Sequence, residues 1–351
     1  MVNKIINSKK RNKLIIELIG GTGNQLFQLS ACYRLAKILD REMYYTDNLL
    51  DGNRKLETKS IASKLGFKYI NGRSIRSLKI LYEEDIIHPA YYCSYAENNY
   101  LAPNDIVLSG YFQNHKIQDS ECINKIKELS KLTYKKFNIN EDFIAFHTRE
   151  LQASNNNKPL ENIDNLNLKY YERSLEIIKE SLRIKNIKIK NIILFSDTFK
   201  NRNYSKIYSK IQTLIEKNNF NMILGDELCS TAWESISIMS QSKYIVISNS
   251  TFSWWAAYLS EAKVISPIMS LWETRLTTPD NWEQVNDGNL SPIPWHNLAI
   301  YKKKKIKLSK RRYSNLLIRK IKHFFIYYLL RNTYTNKLEK INNLRIKNLL
   351  N

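Results

Sequence analysis

The chain contains few cysteines, and they are widely spaced. Four cysteines in 351 residues form no CxxC pair, which argues against a disulfide framework or a cysteine zinc site. No run approaches the roughly 18 apolar residues that a spanning helix needs. The amino terminus also lacks the apolar stretch of a signal peptide. These absences predict a cytoplasmic protein.

Acidic side chains are scarce in one part of the chain. The net charge is +22, from 55 Lys and Arg against 33 Asp and Glu. Residues 301–351 hold 11 Lys and 5 Arg against one acid, Glu339, so this segment carries +15 and the remainder only +7. The excess belongs to the tail, and no nucleic-acid-binding module accompanies it. We therefore predict no nucleic-acid partner.

Hydrophobic and aromatic residues are plentiful, at 43% and 11% of the chain, so the protein has material for sizeable cores. Strand and helix patterns alternate over residues 143–267, which predicts a parallel, doubly wound sheet. Shorter apolar strands at 13–18, 43–45 and 106–113 indicate a first α/β unit. We predict units at 1–140 and 141–300, followed by a basic tail at 301–351.

A turn of small polar residues follows the apolar strand 244–247 and precedes a helix with paired tryptophans. Small hydroxyl side chains at a helix start cap its free N–H groups. The same N–H groups and the helix dipole make a phosphate site, and strand ends of this kind bind ligands in α/β sheets. An ordinary helix cap is the alternative. The candidate ligand-binding residues are Asn249, Ser250, Thr251, Phe252 and Ser253.

Two further strands end in polar residues. Strand 143–146 leads into His147, Arg149 and Glu150, and an arginine there can grip phosphate oxygens in two places. His147 could orient a neighbour or donate to a phosphate, or it could be purely structural. Strand 192–195 leads to Asp197, which would hydrogen-bond a ribose or base, or else cap the next helix.

A glycine-rich turn joins the first strand to the first helix. It reads Gly20-Gly21-Thr22-Gly23-Asn24-Gln25, and its glycines allow a ligand to approach the backbone closely. Its spacing is not that of the dinucleotide fingerprint, and it has no P-loop lysine. A tight turn without a ligand is the alternative.

Together these segments resemble the family 11 glycosyltransferases, chiefly bacterial α-1,2-fucosyltransferases. The segment 20–28, GGTGNQLFQ, resembles the family signature GGxGNQxFQ, and 249–257, NSTFSWWAA, resembles NSxFSWWAA. The segments 195–197 and 110–113 are similar to the FSD and GYxQ elements. The order and spacing of these motifs match over about residues 13–296.

The resemblance implies a GT-B fold, with two Rossmann-like domains facing across a cleft. The C-terminal domain would bind GDP-fucose through Arg149, Asp197 and the turn residues 249–253. The N-terminal domain would bind the acceptor, with Gly21, Gly23, Asn24 and Gln25 on that side. Arg149 and His147 would be catalytic, in a metal-independent, inverting transfer of fucose to a galactoside. Surface polysaccharide synthesis, such as that of an O-antigen, is the implied setting.

One motif departs from the family pattern. The family's HxRRGD reads HTRELQ over residues 147–152, so Glu150 replaces the second arginine. This exchange adds negative charge beside the expected diphosphate. Two alternatives therefore stay open: a different nucleotide-sugar donor on the same fold, or a catalytically weak paralogue that binds glycan or nucleotide.

The tail carries an apolar run, residues 323–330, between basic flanks. This run is too short to span a membrane, but it could lie at an anionic membrane surface. That placement predicts peripheral contact at the inner face of the plasma membrane through residues 302–351, where a lipid-linked glycan would be the acceptor. A C-terminal helix packed on the body, with a solvated basic face, is the alternative.

Overall fold

Two parallel sheets organise the protein. The computed structural model describes residues 11–50, 52–75, 78–82, 104–149, 166–196, 208–267 and 279–285. All of these belong to one compact unit, Met1–Pro292. The predicted tail at 301–351 and all of residues 150–165 lie outside the described residues.

The first sheet has the strand order β3-β2-β1-β5-β4, and each of its pairs is parallel. Its central strand β1 is buried along most of its length because helices and loops cover both faces of a parallel sheet. The strands are β1 Lys13–Glu17, β2 Glu42–Thr46, β3 Lys68–Tyr69, β4 Lys79–Tyr82 and β5 Ile106–Ser109.

The second sheet has the order β11-β10-β9-β6-β7-β8, again with parallel pairs. Starting from β6, the chain adds two strands on one side and then three on the other, which is the Rossmann order. The direction reverses between β6 and β9. The strands are β6 Phe143–Thr148, β7 Asn191–Ser196, β8 Asn221–Leu224, β9 Tyr244–Val246, β10 Lys263–Pro267 and β11 Glu283–Val285.

Helices connect and cover the strands, and several begin at a capping side chain. Asp119, Asn167 and Thr231 each accept a backbone N–H in the first turn of the helix that follows, as short polar N-caps do. The helices are α1 Thr22–Ile38, α2 Gly52–Lys64, α3 Ser120–Tyr134, α4 Leu168–Lys185, α5 Tyr208–Lys217, α6 Gly225–Leu228, α7 Ala232–Met239 and α8 Thr251–Leu259. None of these is long and apolar enough to cross a membrane.

Helices α1 and α3 of the first half pack directly against α7 and α8 of the second. The ring of Phe27 lies 4.6 Å from that of Trp254 and 5.1 Å from that of Trp255. Both tryptophans are fully buried. This aromatic cluster explains why the paired tryptophans follow the polar turn: they bury the start of α8 between the two sheets.

The predicted fold class, an α/β chain with two Rossmann-like parallel sheets, is confirmed. The boundary near residue 140 stays a prediction. One element bound was wrong. The strand expected over 106–113 ends at Ser109, and Phe112, three residues further on, has φ +54°, which an extended strand does not allow. The helix that follows, α3, begins at Ser120 after a 3-10 turn at His115–Ile117, and Asp119 is its cap.

Candidate functional site

The carboxyl ends of β6 and β9 lie side by side where the strand order of the second sheet reverses. Phe146 pairs with Val246, so the residues that follow each strand emerge next to each other. In open α/β sheets, ligands bind in the crevice at this position. Two of the polar segments singled out in the sequence, 147–149 and 248–253, therefore form one site.

Arg149 lies against the start of α8. Its Nη1 donates to Oγ of Ser250 over 3.1 Å, and Ser250 is the N-cap, whose hydroxyl also accepts from the N–H of Phe252. The first turn of α8 contains no acidic residue. The guanidinium of Arg149 therefore lies beside the positive N-terminal end of the α8 dipole. An anion bound between these two positive charges would reduce their repulsion.

His147 holds the turn from the other side. It is buried, and its Nδ1 lies 2.6 Å from Oγ of Ser248. Burial, together with the nearby positive charge of Arg149, lowers the pKa of His147 to about 3. The imidazole is therefore neutral at physiological pH. It fixes Ser248 and packs against Phe252, with 5.1 Å between ring centroids.

The interior of the turn is hydrogen-bonded, apart from one atom. Ser253 is fully buried and its hydroxyl bonds to both the N–H and the C=O of Ser248, which ties the two ends of the turn together. Asn249 is 4% exposed, yet its Oδ1 has no partner among the described residues. A buried acceptor of this kind requires a donor. A ligand hydroxyl or N–H would meet that requirement.

The glycine-rich turn of the first half touches this site. A Cβ added to Gly23 would lie 2.5 Å from the backbone carbon of Thr251, so only glycine fits there. Oδ1 of Asn24 accepts from Oγ1 of Thr251 over 2.9 Å and from Nε2 of Gln113 over 2.8 Å. The two longest sequence motifs are therefore in direct contact, and Gln113, not among the predicted site residues, joins them.

The remaining predicted acceptor-side residues differ in exposure. Gln25 is 2% exposed, and its side chain donates to the carbonyl of Gly20 and accepts from Thr58. A Cβ at Gly21 would meet nothing within 4 Å, so this residue faces open space. Their role toward an acceptor stays a prediction.

The predicted donor-binding residue Asp197 lies outside the described residues, as does Glu150, where the chain departs from the family motif. The described part of the chain contains no group of three His, Cys, Asp or Glu side chains placed to hold a metal ion.

Two Rossmann-like parallel sheets with a polar turn at the second switch point define the class of protein, a GT-B-type α/β fold. Residues 167–278 match the family model described as glycosyl transferase family 11. This range includes α4, β7 and the whole β9–α8 turn. This match covers about a third of the chain and agrees with the family predicted from the motifs. A search of curated protein sequences finds no match.

Solved structures resemble the chain only distantly. The chain is similar to POFUT1 in complex with GDP, at 12% identity and TM-score 0.43, over 80% of this chain and 99% of that one. It is similar to the fucosyltransferase NodZ from Bradyrhizobium, at 11% identity and TM-score 0.36, over 72% and 94% of the two chains. NodZ alpha-1,6-fucosyltransferase soaked with GDP-fucose gives 10% identity and TM-score 0.41, over 74% and 96%. Similarities this distant assign no ligand to the chain.

Proposed function

We propose that the protein is an inverting fucosyltransferase that uses GDP-fucose as its donor. The observation that carries this proposal is the contact of Arg149 with Ser250 at the start of α8, in the crevice between β6 and β9. A guanidinium and a helix N-terminus together suit a diphosphate. The motif resemblance over residues 20–28 and 249–257 supports fucose and guanosine diphosphate as the transferred and leaving groups.

The donor diphosphate would lie between Arg149 and the first N–H groups of α8. Neutral His147 would keep Ser248 and the turn in place without adding charge. The unpartnered Oδ1 of Asn249 would accept a hydrogen bond from a hydroxyl or N–H of the nucleotide.

In the reaction, an acceptor hydroxyl forms a bond to the anomeric carbon of fucose and loses its proton to solvent, while the bond from that carbon to the phosphate oxygen breaks. The departing electron pair leaves negative charge on the diphosphate. Arg149 and the helix N-terminus are already positioned to stabilise that charge, as preorganised donors do, with no metal ion in the proposal. Attack from the opposite face inverts the configuration of the β-linked donor and gives an α-linkage.

The finer proposal is α-1,2 transfer to a galactoside during synthesis of a surface polysaccharide such as an O-antigen. It is tested by incubating purified protein with GDP-fucose and lactose in the presence of EDTA. Mass spectrometry should show a fucosylated lactose, and NMR should show the 1,2-linkage. Turnover with GDP-mannose or a UDP-sugar in place of GDP-fucose would overturn the donor. Donor binding without turnover, even in an acceptor screen, would favour the weak paralogue.

The basic tail supports a further part of the proposal. Residues 302–351 would hold the enzyme at the anionic inner face of the plasma membrane, near a lipid-linked acceptor. The charge of +15 in residues 301–351 is the observation behind it.

A further inference from the structure

Three polar residues stand in one row at the carboxyl end of the first sheet. Glu17 ends β1 and is in register with Thr46, which ends β2. Ile16 pairs with Leu108, so Ser109 at the end of β5 stands beside Glu17 on the other side. The hydroxyl of Ser109 donates to Oε2 of Glu17 over 3.3 Å. We refer to Thr46, Glu17 and Ser109 as the polar row.

Glu17 and Thr46 of the polar row are buried and Ser109 is partly buried, but the hydrogen bonding of the row is incomplete. Glu17 is 8% exposed, and Ser109 is the only described side chain that bonds to its carboxylate. No described cation lies within ion-pair distance of it. Thr46 is fully buried, and its Oγ1 has no partner among the described residues. Burying a carboxylate without a cation and a hydroxyl without a partner costs stability.

Packing does not account for these residue types. Directly beneath the row, on the same face, Ile15 and Val107 pack with Ile75 in an apolar cluster. Side chains two residues apart on a strand share a face, so apolar residues at 17 and 109 would extend this cluster. The carboxylate of Glu57 has more hydrogen bonds than that of Glu17: it accepts one from the hydroxyl of Thr22 and one from the N–H of Ala232.

The row also stands where a ligand is expected. In the first sheet the strand order reverses between β1 and β5, and Glu17 and Ser109 are the last residues of those two strands. This is the switch point of the first sheet, as the β6–β9 crevice is that of the second. Glu17 lies three residues before Gly20, the first residue of the glycine-rich turn. Gly23 and Asn24 of that turn contact Thr251 of the proposed donor site.

The functional groups of the polar row limit the kinds of ligand that it can bind. One carboxylate and two hydroxyls offer acceptors and no positive charge, so the row does not suit an anion. It also provides too few oxygen ligands for Ca²⁺, which takes about 6–8. A neutral ligand with several hydroxyl donors fits, because hydroxyls donate strongly to a carboxylate. We propose that the polar row binds the acceptor glycan, a galactoside, through its hydroxyl groups; this rests on the proposed function.

Kinetics of three variants test the proposal, with GDP-fucose as donor and lactose as acceptor. Glu17→Gln keeps the size of the side chain and removes its charge, and Thr46→Val removes the unpartnered hydroxyl. Each should raise KM for lactose, Glu17→Gln by about tenfold or more, because a charge-assisted hydrogen bond is lost. KM for GDP-fucose should not change. Glu42→Gln, a surface carboxylate on β2 paired with Lys68, is the matched control and should behave as wild type.

Thermal unfolding of the same variants separates a binding role from a structural one. If Glu17 serves the ligand, Glu17→Gln should melt at a higher temperature than wild type while binding lactose more weakly, because an unpaired buried charge has been removed. A lower melting temperature with unchanged KM for lactose would overturn the proposal.

Saturation-transfer NMR from protein to lactose, with GDP present, tests the row without turnover. Transfer should be seen for wild type and be reduced in Glu17→Gln. Its absence in wild type would overturn the galactoside proposal. A calorimetric titration with GDP-fucose reports on the donor site separately. Failure to bind donor would refute the proposed function, whereas donor binding with unaltered lactose contacts in Glu17→Gln would refute only the polar row.

Discussion

Asn24 accepts a hydrogen bond from the hydroxyl of Thr251 over 2.9 Å, although the two residues are 227 positions apart in the chain. Each belongs to one of the two long motifs, and the same Asn24 oxygen also accepts from Gln113. One amide oxygen therefore connects the first helix of the protein, the segment that follows β5 and the start of α8. The motifs stabilise a contact between the two sheets directly beside the proposed donor site.

Replacing Asn24 with alanine should destabilise the protein by about 1–3 kcal/mol, because Gln113 and Thr251 would lose their common acceptor. Denaturant unfolding measures this change. Asn138→Ala, at an exposed position, is the control and should have little effect. A double-mutant cycle with Thr251→Val should give a coupling energy above about 0.5 kcal/mol. Additive effects would show that the hydrogen bond does not matter to stability.

Gly23→Ala should lower the free energy of unfolding by roughly 1–3 kcal/mol, because its Cβ would collide with the backbone of Thr251 and Phe252. Gly21→Ala is a close control, since its Cβ would meet nothing within 4 Å. It should cost less than about 1 kcal/mol, the scale of an N-cap effect. Equal melting temperatures for the two variants would contradict the close approach of the motifs.

The neutral, buried His147 should make the protein sensitive to acid. Its folded pKa of about 3 lies below the ordinary value of 6.5, so the unfolded chain takes up a proton first as the pH falls. Stability should therefore decrease as the pH falls from 6.5 toward 3, by about 2 kcal/mol at pH 5 from this group. Urea unfolding of wild type and His147→Asn at pH 7 and pH 5 measures it. The variant should lose less stability between these two pH values, and an identical loss would refute the assignment.

Removing residues 302–351 should release the protein from vesicles that contain phosphatidylserine. The deleted segment carries +15 of the net charge of +22, and basic residues near an anionic surface each contribute about 1 kcal/mol of attraction. Co-sedimentation at low and high salt measures binding, with neutral phosphatidylcholine vesicles as the control. If the truncated protein sediments like the full chain, the tail is not the membrane contact.

Arg149→Ala should reduce kcat/KM for transfer by about a hundredfold or more, because it removes a donor aimed at the charge that develops on the leaving group. Arg149→Lys should recover part of the loss, since the charge returns without the planar fork. The control is Arg183→Ala, a surface arginine that pairs with Glu180. Wild-type turnover in Arg149→Ala, with the fold intact by circular dichroism, would place the donor elsewhere.

The elements that could be predicted from the sequence were those marked by a pattern within a few consecutive residues. The strands at 143–148, 191–196 and 244–246 were predicted within two residues, because each is a short apolar run with a polar end. The convergence of His147, Arg149 and Ser250 was predictable from strand ends alone, since parallel strands deliver their carboxyl ends to one edge.

Long-range pairing was not predictable from such patterns. Nothing in the stretch 106–113 indicates that β5 lies between β1 and β4, and the pairing places Ser109 beside Glu17. The contact of Asn24 with Gln113 depends on the same strand order. The polar row was missed for this reason: Glu17 looks like the exposed end of a strand until its neighbours are known.

We propose that Arg149 and the start of α8 bind a nucleotide diphosphate. A calorimetric titration in the presence of EDTA tests this binding most directly. Wild type would be titrated with GDP, GDP-fucose, GDP-mannose and a UDP-sugar, and Arg149→Ala with GDP. We expect guanine-selective binding by wild type without metal, weakened at least tenfold in the variant. Equal binding of GDP by wild type and Arg149→Ala, or no binding by wild type, would contradict it.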